Sequence, residues 1–145
     1  MTKKVFQNTL DWRHGKRAIV KVEGRPDVEI STPPEFNGPE GYWSPEDMFL
    51  ASINSCIMTT FLYFVDRLGF SFNEYTSSIQ GDIDLVGGMF TFTKIVVRPR
   101  ITVPGEMEKE KAQNALQKAE KYCLISACIK LPITVDAEIV IGEKP

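Results

Sequence analysis

The stretch from Ser44 to Gly69 constrains what this chain can fold into more than any other part of it. Ser44-Pro45-Glu46-Asp47 supplies a hydroxyl N-cap, a proline at the first helical position and acids in the first turn, so a helix starts at Ser44. Apolar residues from Met48 to Leu68 cover most of the helix circumference before Gly69 offers a stop. Some 24 residues at about 1.5 Å each make a rod of roughly 36 Å. A helix apolar on nearly all sides must be enclosed, and one small sheet cannot wrap that length, so a second subunit is expected to cover the remainder. A bilayer span is the less economical reading, because Ser52, Asn54, Ser55, Thr59 and Thr60 interrupt the segment and charges close both ends.

The flanking sequence reads as sheet. Lys3 to Trp12, Arg17 to Glu23 and Val28 to Ser31 predict an antiparallel meander with turns at His14-Gly15 and Gly24-Arg25-Pro26. Residues 33 to 43 hold three prolines and two glycines and predict a loop without helix or paired strand. From Tyr75 to Thr102 two strand patterns meet at Val86-Gly87-Gly88, a hairpin. Glu106 to Tyr122 is an amphipathic helix with an apolar stripe of Met107, Ala112, Ala115, Leu116 and Ala119. Pro132 to Ile141 alternates apolar and polar as one half-buried strand does.

With 145 residues, 43% of them hydrophobic, one domain spanning 1–145 is expected, large enough to hold a core without staples. Lys and Arg number 17 against 19 Asp and Glu, so no basic stripe is available for a run of phosphates, and neither nucleic acid nor membrane is expected as a partner. Met1 to Asn8 lacks the apolar run of a secretory signal, and a cytoplasmic location is expected. Three cysteines, Cys56, Cys123 and Cys128, argue against a structural disulfide framework in such a compartment. Taken alone, each reads as a small buried hydrophobe. Structural zinc needs four ligands, and Cys123 and Cys128 stand five apart with His14 the chain's one histidine, so no metal is expected.

A redox reading requires a thiolate held by a nearby cation and an apolar path for a peroxide. Arg13, Arg17 and Glu46 each read singly as solvated or cap-related residues. Their joint arrangement resembles the OsmC/Ohr family, the osmotically inducible and organic hydroperoxide resistance proteins. The resemblance spans most of the chain. It is carried by Trp12-Arg13-His14-Gly15-Lys16-Arg17, by Ser44-Pro45-Glu46-Asp47-Met48-Phe49-Leu50-Ala51 running on to Ser55-Cys56, and by Lys118 to Ser126 around Cys123. In that family a Pro-Glu pair precedes the reactive cysteine so that glutamate and cysteine are ten apart, the spacing of Glu46 and Cys56. The second family cysteine falls on Cys123 and the N-terminal arginine on Arg13, with Arg17 the fallback. Two departures are Leu124, where the family usually has proline, and Cys128, an extra thiol.

The resemblance implies an α+β fold of antiparallel sheets wrapped around long central helices in an intertwined homodimer. It also implies a thiol-dependent peroxidase of the stress response. Cys56 thiolate would attack a hydroperoxide and become a sulfenic acid, and Cys123 would condense with it to a disulfide. An external dithiol or lipoyl-type reductant would restore both, with no bound cofactor. Arg13 would hold the thiolate and Glu46 would fix the guanidinium. Lowering a thiol from about pKa 8.5 to about 6 raises its thiolate fraction at pH 7 roughly 30-fold. A bulky organic hydroperoxide is the expected substrate, with Met58, Phe61 and the Tyr42-Trp43 loop as apolar walls.

Helix geometry adds a constraint of its own. Ten residues span about 15 Å of rise, so Glu46 and Cys56 share a site only if the helix bends or if the glutamate reaches the cysteine of another subunit. The second arrangement is expected. Two other readings of the residues stand beside the peroxidase. One is a non-redox module binding an apolar ligand against Trp43, Phe49, Met58, Phe61 and Tyr63. The other is a thioesterase-like enzyme in which Glu46 activates water.

Overall fold

Glycine pairs and proline breaks set the outline of the fold in the computed structural model, which describes residues 2–143. The chain divides into two compact units, one ending at Phe49 and the other starting at Leu50.

In the N-terminal unit, β1 (Thr9–His14), β2 (Arg17–Lys21) and β3 (Val28–Ser31) form the expected antiparallel meander in the order β1-β2-β3. β1 is shorter than the sequence predicts. Its pairing starts at Thr9, opposite Lys21, where β2 ends, so residues 3 to 8 have no β2 partner in the ladder. The segment after β3 contains one 3₁₀ turn at Pro34–Phe36, more order than the loop expected there. An isolated bridge between Ile30 and Trp43 and the Ser31 N–H bond to Trp43 O (2.9 Å) tie its end back to β3. Ser44 then closes a reciprocal capping box. Its Oγ accepts from the Asp47 N–H at 3.1 Å, and Asp47 Oδ2 accepts from the Ser44 N–H at 2.9 Å. Such a cap is worth about 1 kcal/mol, and it starts α1 (Pro45–Leu68) where the sequence predicts.

In the C-terminal unit, β4 (Glu74–Val86) and β5 (Met89–Val103) form a long hairpin. Its tip is Gly87-Gly88, with φ values of 57° and 82°, a two-residue turn that only glycine adopts without strain at both positions. β5 is the central strand. Its residues Ile95, Val96, Val97, Ile101, Thr102 and Val103 are all buried. α2 (Glu106–Tyr122) lays Ala112, Ala115, Leu116 and Ala119 inward, as predicted, although Met107 is exposed. A four-residue helix, α3 (Leu124–Ala127), follows directly.

The predicted last strand is two strands, β6 (Ile133–Val135) and β7 (Glu138–Ile141), and both run parallel to β5. The break lies opposite Arg98-Pro99 of β5, where proline has no N–H to give to a ladder. The second sheet is therefore mixed rather than antiparallel, and the connection from β5 through α2 supplies the crossover that parallel pairing needs.

α1 rests on this sheet along one stripe, Ile53, Ile57, Phe61 and Val65, spaced four residues apart. Ser77 Oγ donates to Asn54 Oδ1 at 2.7 Å, and Phe61 meets Tyr75 with ring centroids 5.3 Å apart. At Gly81 the approach is so close that a Cβ would stand 2.9 Å from Leu50 Cδ2. The remaining apolar side chains of α1 are not enclosed by the chain itself: Leu62 and Phe64 are half-buried and Tyr63 is 54% exposed. A single sheet covers one side of a cylinder, which is why enclosure within one chain fails. By length and composition alone α1 would also cross a bilayer.

Candidate active site

Cys56 sits midway along α1 and is half-buried, while Cys123 is wholly buried at the corner where α2 ends and α3 begins. Cys123 is the C-cap of α2, its N–H bonded to Ala119 O at 2.9 Å, and the N-cap of α3, its carbonyl accepting from Ala127 N–H at 3.1 Å. Leu124 in place of proline does not prevent this second helix. The first position of a helix needs no donor, so leucine serves there as well.

The corner delivers Cys123 and the first amides of α3 to Cys56. Burial alone would raise the Cys56 thiol, but hydrogen bonds outweigh it. They come from the Cys123 side chain, the Ile125 N–H, the Thr60 hydroxyl and the Leu124 N–H, and together they hold Cys56 below the ordinary thiol range. Cys123 moves the other way. Burial pushes it up first, its hydrogen bond to Cys56 and the Cys56 charge push it further, and the bond from Ser126 opposes them. Cys56 is thus the more acidic of the two thiols and Cys123 the less acidic.

Two residues at this site carry no site role in the sequence. Thr60 Oγ1 donates to the Cys56 carbonyl at 2.7 Å and lies 4.0 Å from Cys56 Sγ, and Ser126 Oγ donates to Cys123 Sγ at 3.2 Å. Their spacing was the available signal. Thr60 follows Cys56 by one helical turn and Ser126 follows Cys123 by three residues, the separations at which side chains on a helix meet. Cys128 is exposed at the end of α3.

Arg13 and Glu46 belong to the N-terminal unit, so the structure brings together the two cysteines of the four expected site residues. Arg13 is exposed on β1. Arg17 is engaged instead, 4.6 Å over the Tyr42 ring and 3.8 Å from Glu29. Glu46 sits in the first turn of α1, and its Oε1 is buried without a hydrogen-bond partner among the described residues. Phe61 is fully buried among Phe70, Phe72 and Tyr75, which removes it from the apolar walls expected for a substrate or ligand.

Fold and thiol pair define a class: α+β proteins in which a long apolar helix sets one cysteine against a second, buried one. The family follows from comparison with known proteins. The profile of the OsmC-like protein family matches residues 38–138, and the chain belongs to that family. It is 25% identical over 143 residues to the uncharacterised protein YmaD of Bacillus subtilis (strain 168), covering 94% of this chain and 95% of that one. It is 26% identical over 104 residues to the peroxiredoxin OsmC of Escherichia coli (strain K12), covering 72% and 71%. Among solved structures, an OsmC-like protein of unknown function from Vibrio cholerae superposes with a TM-score of 0.82 at 17% identity, over 93% of this chain and 99% of the other. An organic hydroperoxide resistance protein from Elizabethkingia anophelis superposes at 0.73 with 22% identity, over 97% and 100%. These superpositions establish the fold. Family membership together with the peroxiredoxin relative supports a peroxidase-type role at the level of the family.

Proposed function

We propose that this chain is a thiol-dependent peroxidase that reduces organic hydroperoxides, with Cys56 peroxidatic and Cys123 resolving. The observation that carries the reading is the hydrogen-bonded pair of thiols shifted in opposite directions. Cys56 thiolate attacks the distal peroxide oxygen, the O–O bond breaks, and the alkoxide leaves with a proton as alcohol. Cys56 is then a sulfenic acid. Cys123, deprotonated, attacks the Cys56 sulfur, and the hydroxyl leaves with a proton as water, forming the disulfide. An external dithiol returns both thiols and is itself oxidised to a disulfide.

Titration of free thiols against an alkyl hydroperoxide tests this chemistry. Two thiols per chain should be lost, peptide mapping should find a Cys56–Cys123 bridge, and the specificity constant should exceed that for hydrogen peroxide. A Cys123–Cys128 bridge with Cys56 untouched would show the assignment to be wrong.

The proposal extends to a homodimer in which Arg13 and Glu46 of one copy serve Cys56 of the other. Three features support it: the unenclosed apolar sides of α1, the Glu46 Oε1 unpartnered among the described residues, and an unbroken helix that sets Glu46 and Cys56 ten residues apart. Ten residues are about 15 Å of rise, too far for one carboxylate to act on its own chain's thiol. A heterodimer of a Cys56→Ser chain with a Glu46→Ala chain should keep about half of wild-type activity, since sharing leaves one of two sites intact. Near-zero activity would assign each site to a single chain.

A further inference from the structure

We infer that a cleft at the far end of α1, shared with the start of α2, binds an aliphatic polyamine. The cleft has a volume of about 490 Å³ and is lined in part by Val65, Asp66, Phe70, Ser71, Met107 and Glu108. It is separate from the thiol pair, since Asp66 lies ten residues beyond Cys56, about 15 Å of helical rise. The inference is therefore independent of the peroxidase reading.

Two carboxylates give the cleft its charge. Asp66 stands in the last turn of α1, the end at which a helix carries negative partial charge and a cation is the favoured neighbour. An acid there departs from the local rule, and such departures concentrate at functional positions. The adjacent Arg67 lies over the Tyr63 ring, 5.8 Å from its centroid. Glu108 comes from the other element, in the first turn of α2. Neither carboxylate has a hydrogen-bond or ion-pair partner among the described residues. Lys111 of α2 also reaches this end of α1, but its Nζ donates to the Leu68 carbonyl at 3.4 Å.

The rest of the lining selects the kind of cation. Val65, Phe70 and Met107 supply apolar walls. Met107 opens the apolar stripe of α2 yet is 64% exposed, so the fold leaves it without a core role. An unbranched thioether suits the methylenes of a flexible chain, and the Phe70 ring suits an ammonium. Apolar walls also strengthen the attraction of carboxylate for ammonium relative to open surface. Carboxylates on two elements, with apolar side chains in the same cleft, match a ligand whose ammonium groups are joined by methylenes. A bare metal ion would gain nothing from Met107, and a monoamine would leave one carboxylate unused. The volume falls within the range of small-molecule sites, about 300–1,000 Å³.

The test is equilibrium dialysis of the full chain against labelled spermidine at low ionic strength. One spermidine per chain is expected. Asp66→Asn and Glu108→Gln, with unchanged circular dichroism, should each weaken binding about threefold to tenfold. Glu110 is an exposed acid of α2 outside the cleft lining, so Glu110→Gln should leave the affinity as it is. Equal losses in all three variants would reduce the effect to general attraction by an acidic surface and overturn the inference. In competition, 1-aminobutane should displace spermidine about threefold to tenfold less effectively than unlabelled spermidine does. Absence of binding, or displacement by magnesium ion as effective as by spermidine, would overturn it as well.

Discussion

The middle of α1 and the corner between α2 and α3 hold the two facing sulfurs in contrasting surroundings. Cys56 is half-buried and receives several hydrogen bonds, and Cys123 is sealed from solvent with Ser126 as the one neighbour bonded to favour its thiolate through its side chain. Burial opposes the charged form at both. The difference lies in the donors: a helix start points its free amides along its axis and out of its N-terminal end, so the amides after Cys123 serve Cys56. The same corner therefore depresses one thiol and leaves the other raised.

Deleting either sulfur breaks that contrast most severely. Cys56→Ser should abolish turnover with an alkyl hydroperoxide. Cys123→Ser should consume one peroxide per chain and stall as sulfenic acid, detectable by a dimedone adduct on Cys56. Full steady-state turnover by Cys123→Ser would remove Cys123 from the cycle.

Titration sharpens it. Alkylation by iodoacetamide follows the thiolate, so the Cys56 rate should rise through a midpoint below the ordinary thiol range and that of Cys123 through one above it. In Cys56→Ala, Cys123 loses the hydrogen bond and the charge that help raise it, while burial remains. Its midpoint should move down from the native value. Coincident midpoints for both cysteines in the native chain would contradict the contrast.

Thr60 gives the smallest effect. Thr60→Val keeps the shape and removes the hydroxyl, so Cys56 alkylation at pH 7 should slow roughly twofold to fivefold, as expected for one modest hydrogen bond. Thr60→Ser should restore the rate. A change of equal size in both variants would assign Thr60 to packing alone.

Much of the frame was legible in the residues. The Ser44-Pro45 start, the Gly87-Gly88 tip and the alanine stripe of α2 each state a local rule with little competition, and the structure follows them. The strand expected across Lys3 to Asn8 did not form, because β propensity is realised only where a neighbouring strand is long enough to pair. The single strand expected from Pro132 to Ile141 is two because of Pro99, on another element altogether. Phe61 looked available for a ligand because a helix apolar all round does not announce which stripe its sheet will take.

By itself the sequence determined the bounds of α1 and α2, the hairpin, and the ten-residue separation of Glu46 and Cys56, since capping, turn geometry and helical rise act over a few residues. Only the tertiary structure decided that β6 and β7 run parallel to β5 and that the α2–α3 corner meets the middle of α1. It also decided that Leu124 and Ile125 turn their amides on Cys56. Those outcomes depend on which distant surfaces exclude water together, and packing of that kind leaves no mark at the spacing of near neighbours.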